Sequence, residues 1–189
     1  MEPNITDIAS QTPSMARSKH GVASDGIAYS VGTSTFGNIL VARDALGVCA
    51  ILIGSRPEEL TSDLAKRFPQ SELVRDDREL DDDLQKVLRF VETPSSGLTL
   101  ELAMRGTPFQ QRVWEELIKV PPGRIITYAA LAARIGQPTA VRAVANACAA
   151  NAIALAIPCH RVVRSNGALS GYRWGVERKR ALLEKEAQP

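Results

Sequence analysis

Three short apolar runs, at 27–31, 37–42 and 48–53, open the hydrophobic pattern of this chain, each bounded by Gly, Ser or Asp. Runs of that length between turn residues predict β-strands. The spacing then changes. Helices are predicted over about 57–67, with Pro57 near the start, and about 78–92, where Leu80, Leu84, Val87, Leu88 and Val91 recur at three- and four-residue intervals. Pro94-Ser95-Ser96-Gly97 breaks the pattern, and 98–103 reads as a returning strand. Residues 27–103 therefore form a small α/β unit with Cys49 as a buried hydrophobe, Asp81-Asp82-Asp83 as a solvated helix start and no catalytic constellation.

The second half, 104–189, is mostly helical. Thr107-Pro108-Phe109-Gln110 has the form of a capping box with proline at the first helical position. Phe109, Val113, Trp114 and Leu117 follow as an apolar stripe for the core. Thr127 can cap a short helix carrying Tyr128, Leu131 and Ile135 and stopped by Gly136, and Pro138 starts another running to about Ala149. Two helices around a glycine-containing turn make a helix-turn-helix pattern. On the second, Val141, Val144, Ala145 and Cys148 should face inward. Arg142 and Asn146 share another face, flanked by Ala140, Ala143 and Ala147, so that face can approach a nucleic-acid groove closely. An apolar run at 153–157 delivers Cys159 to its end as a short strand or tight segment; Ser165-Asn166-Gly167 is a turn, 170–175 a glycine-hinged loop with aromatic walls, and about 176–186 a last helix.

Charge sharpens this division. Residues 1–103 carry 10 Lys/Arg against 16 Asp/Glu, whereas 104–189 carry 13 against 5. Neutralising phosphates is the ordinary use of such a basic half, though charge alone also fits a solvated face with no partner. No apolar run approaches the ~20 residues of a membrane span. Residues 1–25, rich in Ser, Thr, Pro and Ala, read as a flexible tail with His20 solvated and no signal-peptide core. Three scattered cysteines without a CxxC argue against a disulfide framework or a structural zinc site and suit a reducing cytoplasm.

The sharpest chemical signal is Ile157-Pro158-Cys159-His160-Arg161-Val162, where a cysteine precedes one of only two histidines in 189 residues. Cysteine reacts as its thiolate, which cationic neighbours favour. Arg161, Arg164 and Arg173 are the candidates for that role, and Pro158 can fix a turn that presents the thiol. The pattern suggests a nucleophilic cysteine acting on a polyanion.

PCHRV, with Asn151 eight positions before the cysteine and GYRWG after it, resembles the O6-alkylguanine-DNA alkyltransferase family. The stretch from RGTPFQ through ITYAALA, AVRAVANACAAN and IPCHRVVRSNGALSGYRWG looks closest to the catalytic domain of Ada-type proteins. The likeness covers about 27–189 and is specific between 105 and 186. It implies an α/β (α+β) fold: an RNase H-like N-terminal domain over 27–103, then a winged-helix-like, helix-turn-helix catalytic domain over 104–189. The zinc module of Ada-type proteins and its ligands are missing from this sequence, and the resemblance implies no metal or cofactor.

The resemblance also implies roles. Cys159 would accept the alkyl group irreversibly from O6-alkylguanine in double-stranded DNA, with O4-methylthymine as a second candidate lesion. His160 would act as base through a water, Glu186 would orient it, Asn151 would brace the turn, and Tyr128 would hydrogen-bond the guanine. Arg142 would enter the stack of a flipped base from the minor groove beside Ala143 and Asn146. Val162, Ser170, Gly171, Tyr172, Arg173 and Trp174 would line the base pocket; the bulk of Arg173-Trp174, against a loop built from Ser or Gly, leads us to expect a preference for methyl over benzyl adducts. It implies a monomer. A helix-turn-helix regulator or a lesion sensor without chemistry would explain the basic half but not PCHRV, and a cysteine hydrolase would normally draw Cys and His from distant positions.

Overall fold

The computed structural model describes residues 26–169 and 171–188. Tail residues 1–25, His20 and Ser170 lie outside the described residues. Strands β1 (Gly26–Ser34), β2 (Gly37–Asp44) and β3 (Gly47–Gly54) pair antiparallel in sequence order. A fourth, β4 (Glu72–Arg75), joins β1 in parallel, giving the order β3-β2-β1-β4. Helices α1 (Pro57–Arg67) and α2 (Asp81–Glu92) pack on this sheet through Leu60, Leu64, Leu84, Val87, Phe90 and Val91. Gly32 allows that packing, because a Cβ there would lie 3.0 Å from Leu88 and 3.3 Å from Leu84.

The outer edge of β3 positions the rest. Its backbone takes up two single bridges, Val48 with Leu102 and Ile51 with Ile153. Ile51 N donates to Ala152 O at 2.9 Å and Ala154 N to Ile51 O at 3.0 Å. A free strand edge is thereby covered, and the segment that carries Cys159 is fixed to the sheet. The strand expected over 98–103 reduces to the Leu102 bridge, and 153–157 is one bridge followed by a tight turn. That turn puts Leu155 at φ 68°, a left-handed conformation costing an L-residue about 1–2 kcal/mol.

Helix α3 (Pro108–Ile118) begins with the full Thr107/Gln110 capping box. Strands β5 (Ile126–Thr127) and β6 (Val162–Val163) pair in parallel. Thr127 then caps α4 (Tyr128–Arg134), accepting from Ala130 N. Helix α5 (Val141–Ala150) starts three residues after Pro138, because Ala140 N closes a turn onto Gln137 O with proline inside it. Helix α6 (Val176–Glu186) ends the chain's regular structure. Trp114 Nε1 donates to Ala147 O at 2.9 Å, tying α3 to α5. Gly106 gives the indole its room, since a Cβ there would meet the ring at 2.5 Å. The whole is a mixed α+β arrangement of one main sheet, one two-stranded pair and six α-helices among the described residues.

Candidate active site

Asn151, fully buried just after α5, holds the bend that leads to the thiol. Its Nδ2 donates to Ile157 O at 2.9 Å and to Cys159 Sγ at 3.2 Å, while Oδ1 accepts from Ile153 N at 2.8 Å. One side chain therefore links the bridge to β3, the apolar turn and the sulfur. Cys159, His160 and Arg161 form a single 3-10 turn closed by Arg161 N to Pro158 O at 2.9 Å, not the extended strand end expected. Pro158 offers no N–H to a strand ladder, and the left-handed Leu155 has already turned the chain.

Burial pushes the Cys159 thiol up to about 11, against the Asn151 hydrogen bond and the charge of Lys179, which favour the thiolate. The cations about the sulfur are not the arginines anticipated. Arg161 turns to Glu186, Arg164 is exposed, and Arg173 Nη2 pairs with Asp63 Oδ1 on α1 at 2.8 Å. The charge felt by Cys159 comes from Lys179, a fully buried residue of α6 whose Nζ donates to Val162 O at 2.5 Å. Lys179, Leu182 and Glu186 share one face of α6 and all are buried.

His160 is wholly buried, with Nε2 2.8 Å from Glu186 Oε1. Burial lowers its pKa against the pull of Glu186, so the imidazole is neutral near neutral pH. Glu186 also receives the Arg161 fork, Nε at 2.9 Å and Nη2 at 2.7 Å. Burial by itself would raise that carboxyl; the hydrogen bonds and charges of His160 and Arg161 outweigh it and hold the group at about 2. A neutral imidazole that donates Nε2–H to a carboxylate keeps its lone pair on Nδ1. Nδ1 meets no partner among the described residues, and neither does the hydroxyl of Tyr172. The Tyr172 ring stands edge-on to His160 at 6.3 Å and to Trp174 at 5.1 Å.

Beside this cluster runs an open groove of about 760 Å3, lined by Tyr128, Arg142, Asn146, Arg164 and Gly171 and by no acidic residue. Tyr128 is half-buried; Arg142, Ala143 and Asn146 are exposed on α5. The inward face of α5 is Val144, Ala147 and Cys148, while Val141 and Ala145 line the groove instead. Alanines mark a helix face weakly, and the contact of Ala147 with Trp114 decides the rotation. Among the described residues no cluster of three or more potential metal ligands occurs.

The arrangement has relatives. Residues 108–188 match the family model for the DNA-binding domain of 6-O-methylguanine DNA methyltransferase. The bifunctional transcriptional activator/DNA repair enzyme Ada of Escherichia coli is 45% identical over 170 residues, covering 90% of this chain and 48% of that protein. The chain thus spans about half the length of such relatives. The methylated-DNA–protein-cysteine methyltransferase of Candida albicans is 41% identical over 148 residues, with 74% of this chain and 83% of the relative covered. A solved structure of Mycobacterium tuberculosis OGT in complex with DNA superposes with a TM-score of 0.73 at 31% identity, covering 85% of this chain and 92% of that one. A likeness that runs through both the sheet and the helices of a whole relative, and not merely through the PCHRV turn, means that this chain belongs to the methylated-DNA–protein-cysteine methyltransferase family.

Proposed function

We propose that this protein repairs DNA by moving an alkyl group, chiefly methyl, from O6 of guanine onto its own Cys159. The carrying observation is a buried thiol held at 3.2 Å by Asn151, next to a neutral histidine whose outer nitrogen is engaged by a carboxylate. The thiol gives its proton to His160 Nδ1 through one water, and the imidazolium so formed is stabilised by Glu186. Sulfur then bonds to the alkyl carbon as the carbon–O6 bond breaks, and the electron pair leaves with guanine. A hydrogen bond from Tyr128 stabilises the departing guanine anion, which takes a proton from water, while the His160 imidazolium returns the thiol's proton to solvent. The thioether is a poor leaving group, so each chain acts once, as a monomer, in a reducing compartment such as the cytoplasm that keeps Cys159 reduced. Among the described residues no helix is long and apolar enough to cross a membrane.

Guanine inside a duplex does not offer O6 to a thiol, so the nucleotide has to be flipped out. Exposed Arg142 on α5, with Ala143 and Asn146 close by, is suited to enter the minor groove and fill the gap. In this reading residues 104–189 bind DNA and carry the chemistry as a winged-helix-like unit. Residues 27–103, RNase H-like, form the scaffold to which the thiol-bearing segment is bridged. Val162, Gly171, Tyr172 and Trp174 wall the base pocket. Incubation with a duplex holding one O6-methylguanine should add one methyl per chain, mapped by peptide mass to Cys159. An unchanged intact mass after lesion binding would replace this reading with that of a lesion sensor.

Adduct size gives a second test. Trp174 stands edge-on to Tyr172 with ring centroids 5.1 Å apart, and in this reading the bulk of the Arg173-Trp174 pair limits the adduct that fits. Free O6-benzylguanine should inactivate the protein about tenfold or more slowly than a methylated duplex, and Trp174→Gly should narrow the gap. Equal inactivation rates in the parent protein would sink this preference.

A further inference from the structure

A second cavity, of about 300 Å3, lies behind the active site between α1, Arg105 and the end of α5. The chemistry proposed above makes no use of it. Two guanidinium side chains, Arg67 and Arg105, line it together with the rings of Phe68 and Trp114 and the side of Asn151; no carboxylate does.

The charges around it do not balance. Asp63 is shared: its Oδ2 takes Arg67 Nε at 3.3 Å and its Oδ1 takes Arg173 Nη2 at 2.8 Å. Arg105 is paired with Asp44 and lies over the Phe68 ring, 5.7 Å from its centroid. Three guanidinium groups thus stand against two carboxylates. Arg67 is the under-served one. Its side chain is only 14% exposed, and its Nη2 is buried with no acceptor among the described residues. A buried guanidinium N–H without an acceptor is unfavourable, so a ligand oxygen that reaches this end of Arg67 supplies the missing partner.

We infer that this cavity is a binding site for a small oxyanion, a phosphate or a carboxylate, held by Arg67 and Arg105 with any flat apolar body resting between Phe68 and Trp114. Guanidinium forks match the paired oxygens of both anions. The position gives occupancy a consequence. Asn151, which lines the cavity, also holds Cys159, so the ligand braces α1 of the sheet layer against the segment that carries the thiol.

Inorganic phosphate is the probe. Line broadening of its 31P resonance, titrated with the full chain at constant ionic strength, should saturate at one site per chain. It should persist in Arg142→Ala, which removes a cation from the DNA-facing groove. Arg67→Gln should weaken binding by about tenfold or more, as expected for the loss of one charge-assisted contact. Arg105→Gln, at a half-exposed position, repeats the test if the buried Arg67 variant does not fold, as judged by circular dichroism. Absence of saturable broadening in the parent protein overturns the proposal. So does a pattern in which Arg142→Ala abolishes binding while Arg67→Gln keeps it, since phosphate would then be reporting the DNA groove. Methyl transfer by the parent protein is read separately, so failure here leaves the repair reading untouched.

Discussion

Replacing Glu186 with alanine is expected to cost about 3–5 kcal/mol of folding stability and to slow alkyl transfer about a hundredfold or more. The first effect comes from Arg161. Its side chain is 5% exposed and its Nε and Nη2 both end on Glu186, with only the neutral Val120 carbonyl on Nη1, so removing the carboxylate leaves a buried cation without a counterion. Set against a total stability of about 5–15 kcal/mol, the loss is large. The second effect comes from His160, which loses the group that fixes its proton on Nε2 and stabilises the imidazolium; general-base assistance is typically worth about 100- to 10,000-fold. Glu186→Gln separates the two, since it keeps an acceptor for His160 and Arg161 while deleting the charge. It should regain part of the stability and little of the rate. Denaturant midpoints and the time course of mass gain measure the two effects independently, and an alanine variant within 1 kcal/mol of the parent would remove Glu186 from its assigned place.

The same carboxylate predicts acid sensitivity. Held at about 2 against an ordinary 4.5, it contributes about 3 kcal/mol that is fully present above pH 4.5 and is lost as the pH falls towards 2. The depressed pKa of His160 acts in the same direction from nearer neutrality, because the unfolded chain binds a proton that the folded chain resists. Glu186→Gln should therefore show a shallower fall in stability between pH 4.5 and 2 than the parent protein.

How far the chain could be read beforehand depends on what each residue contributes to pattern. The strands β1 to β3 were legible because they are buried apolar runs between turn residues. The edge strand β4 was not, since it is short and largely exposed and its pairing with β1 leaves no alternation to detect. Segment 98–103 misled in the opposite sense, having strand-like composition but only one bridge to β3. In the site, Cys159 and His160 stand out by rarity and adjacency. Glu186, 26 residues beyond His160, came from family likeness, because nothing local distinguishes a buried glutamate near the end of a charged helix from a solvated one. Arg161 and Lys179 show the same ambiguity for cations. Composition reads both as solvent-facing charges or general attractors of anions, whereas burial makes one the counterion of Glu186 and the other the charge acting on Cys159.

Cys159→Ala should accept no methyl at all while still binding a duplex that carries O6-methylguanine within a few-fold of the parent affinity. The groove is lined by Tyr128 of α4, by Arg142 and Asn146 of α5, and by Arg164 and Gly171, and Cys159 is not part of its lining. Asn151 loses its contact with the thiol but keeps Ile157 O and Ile153 N, so the bend survives. Arg142→Ala should behave in the reverse way. It leaves the buried cluster of Cys159, His160 and Glu186 intact and so should keep the parent rate with the free base O6-benzylguanine. Transfer from a duplex should fall by about tenfold or more as the exposed cation on α5 is lost, with a weaker salt dependence of binding. Gel-shift affinities and intact masses measured on the two variants side by side decide the matter. If Cys159→Ala lost duplex binding as completely as transfer, recognition would reside in the thiol turn itself, and the assignment of DNA contact to α5 would fail.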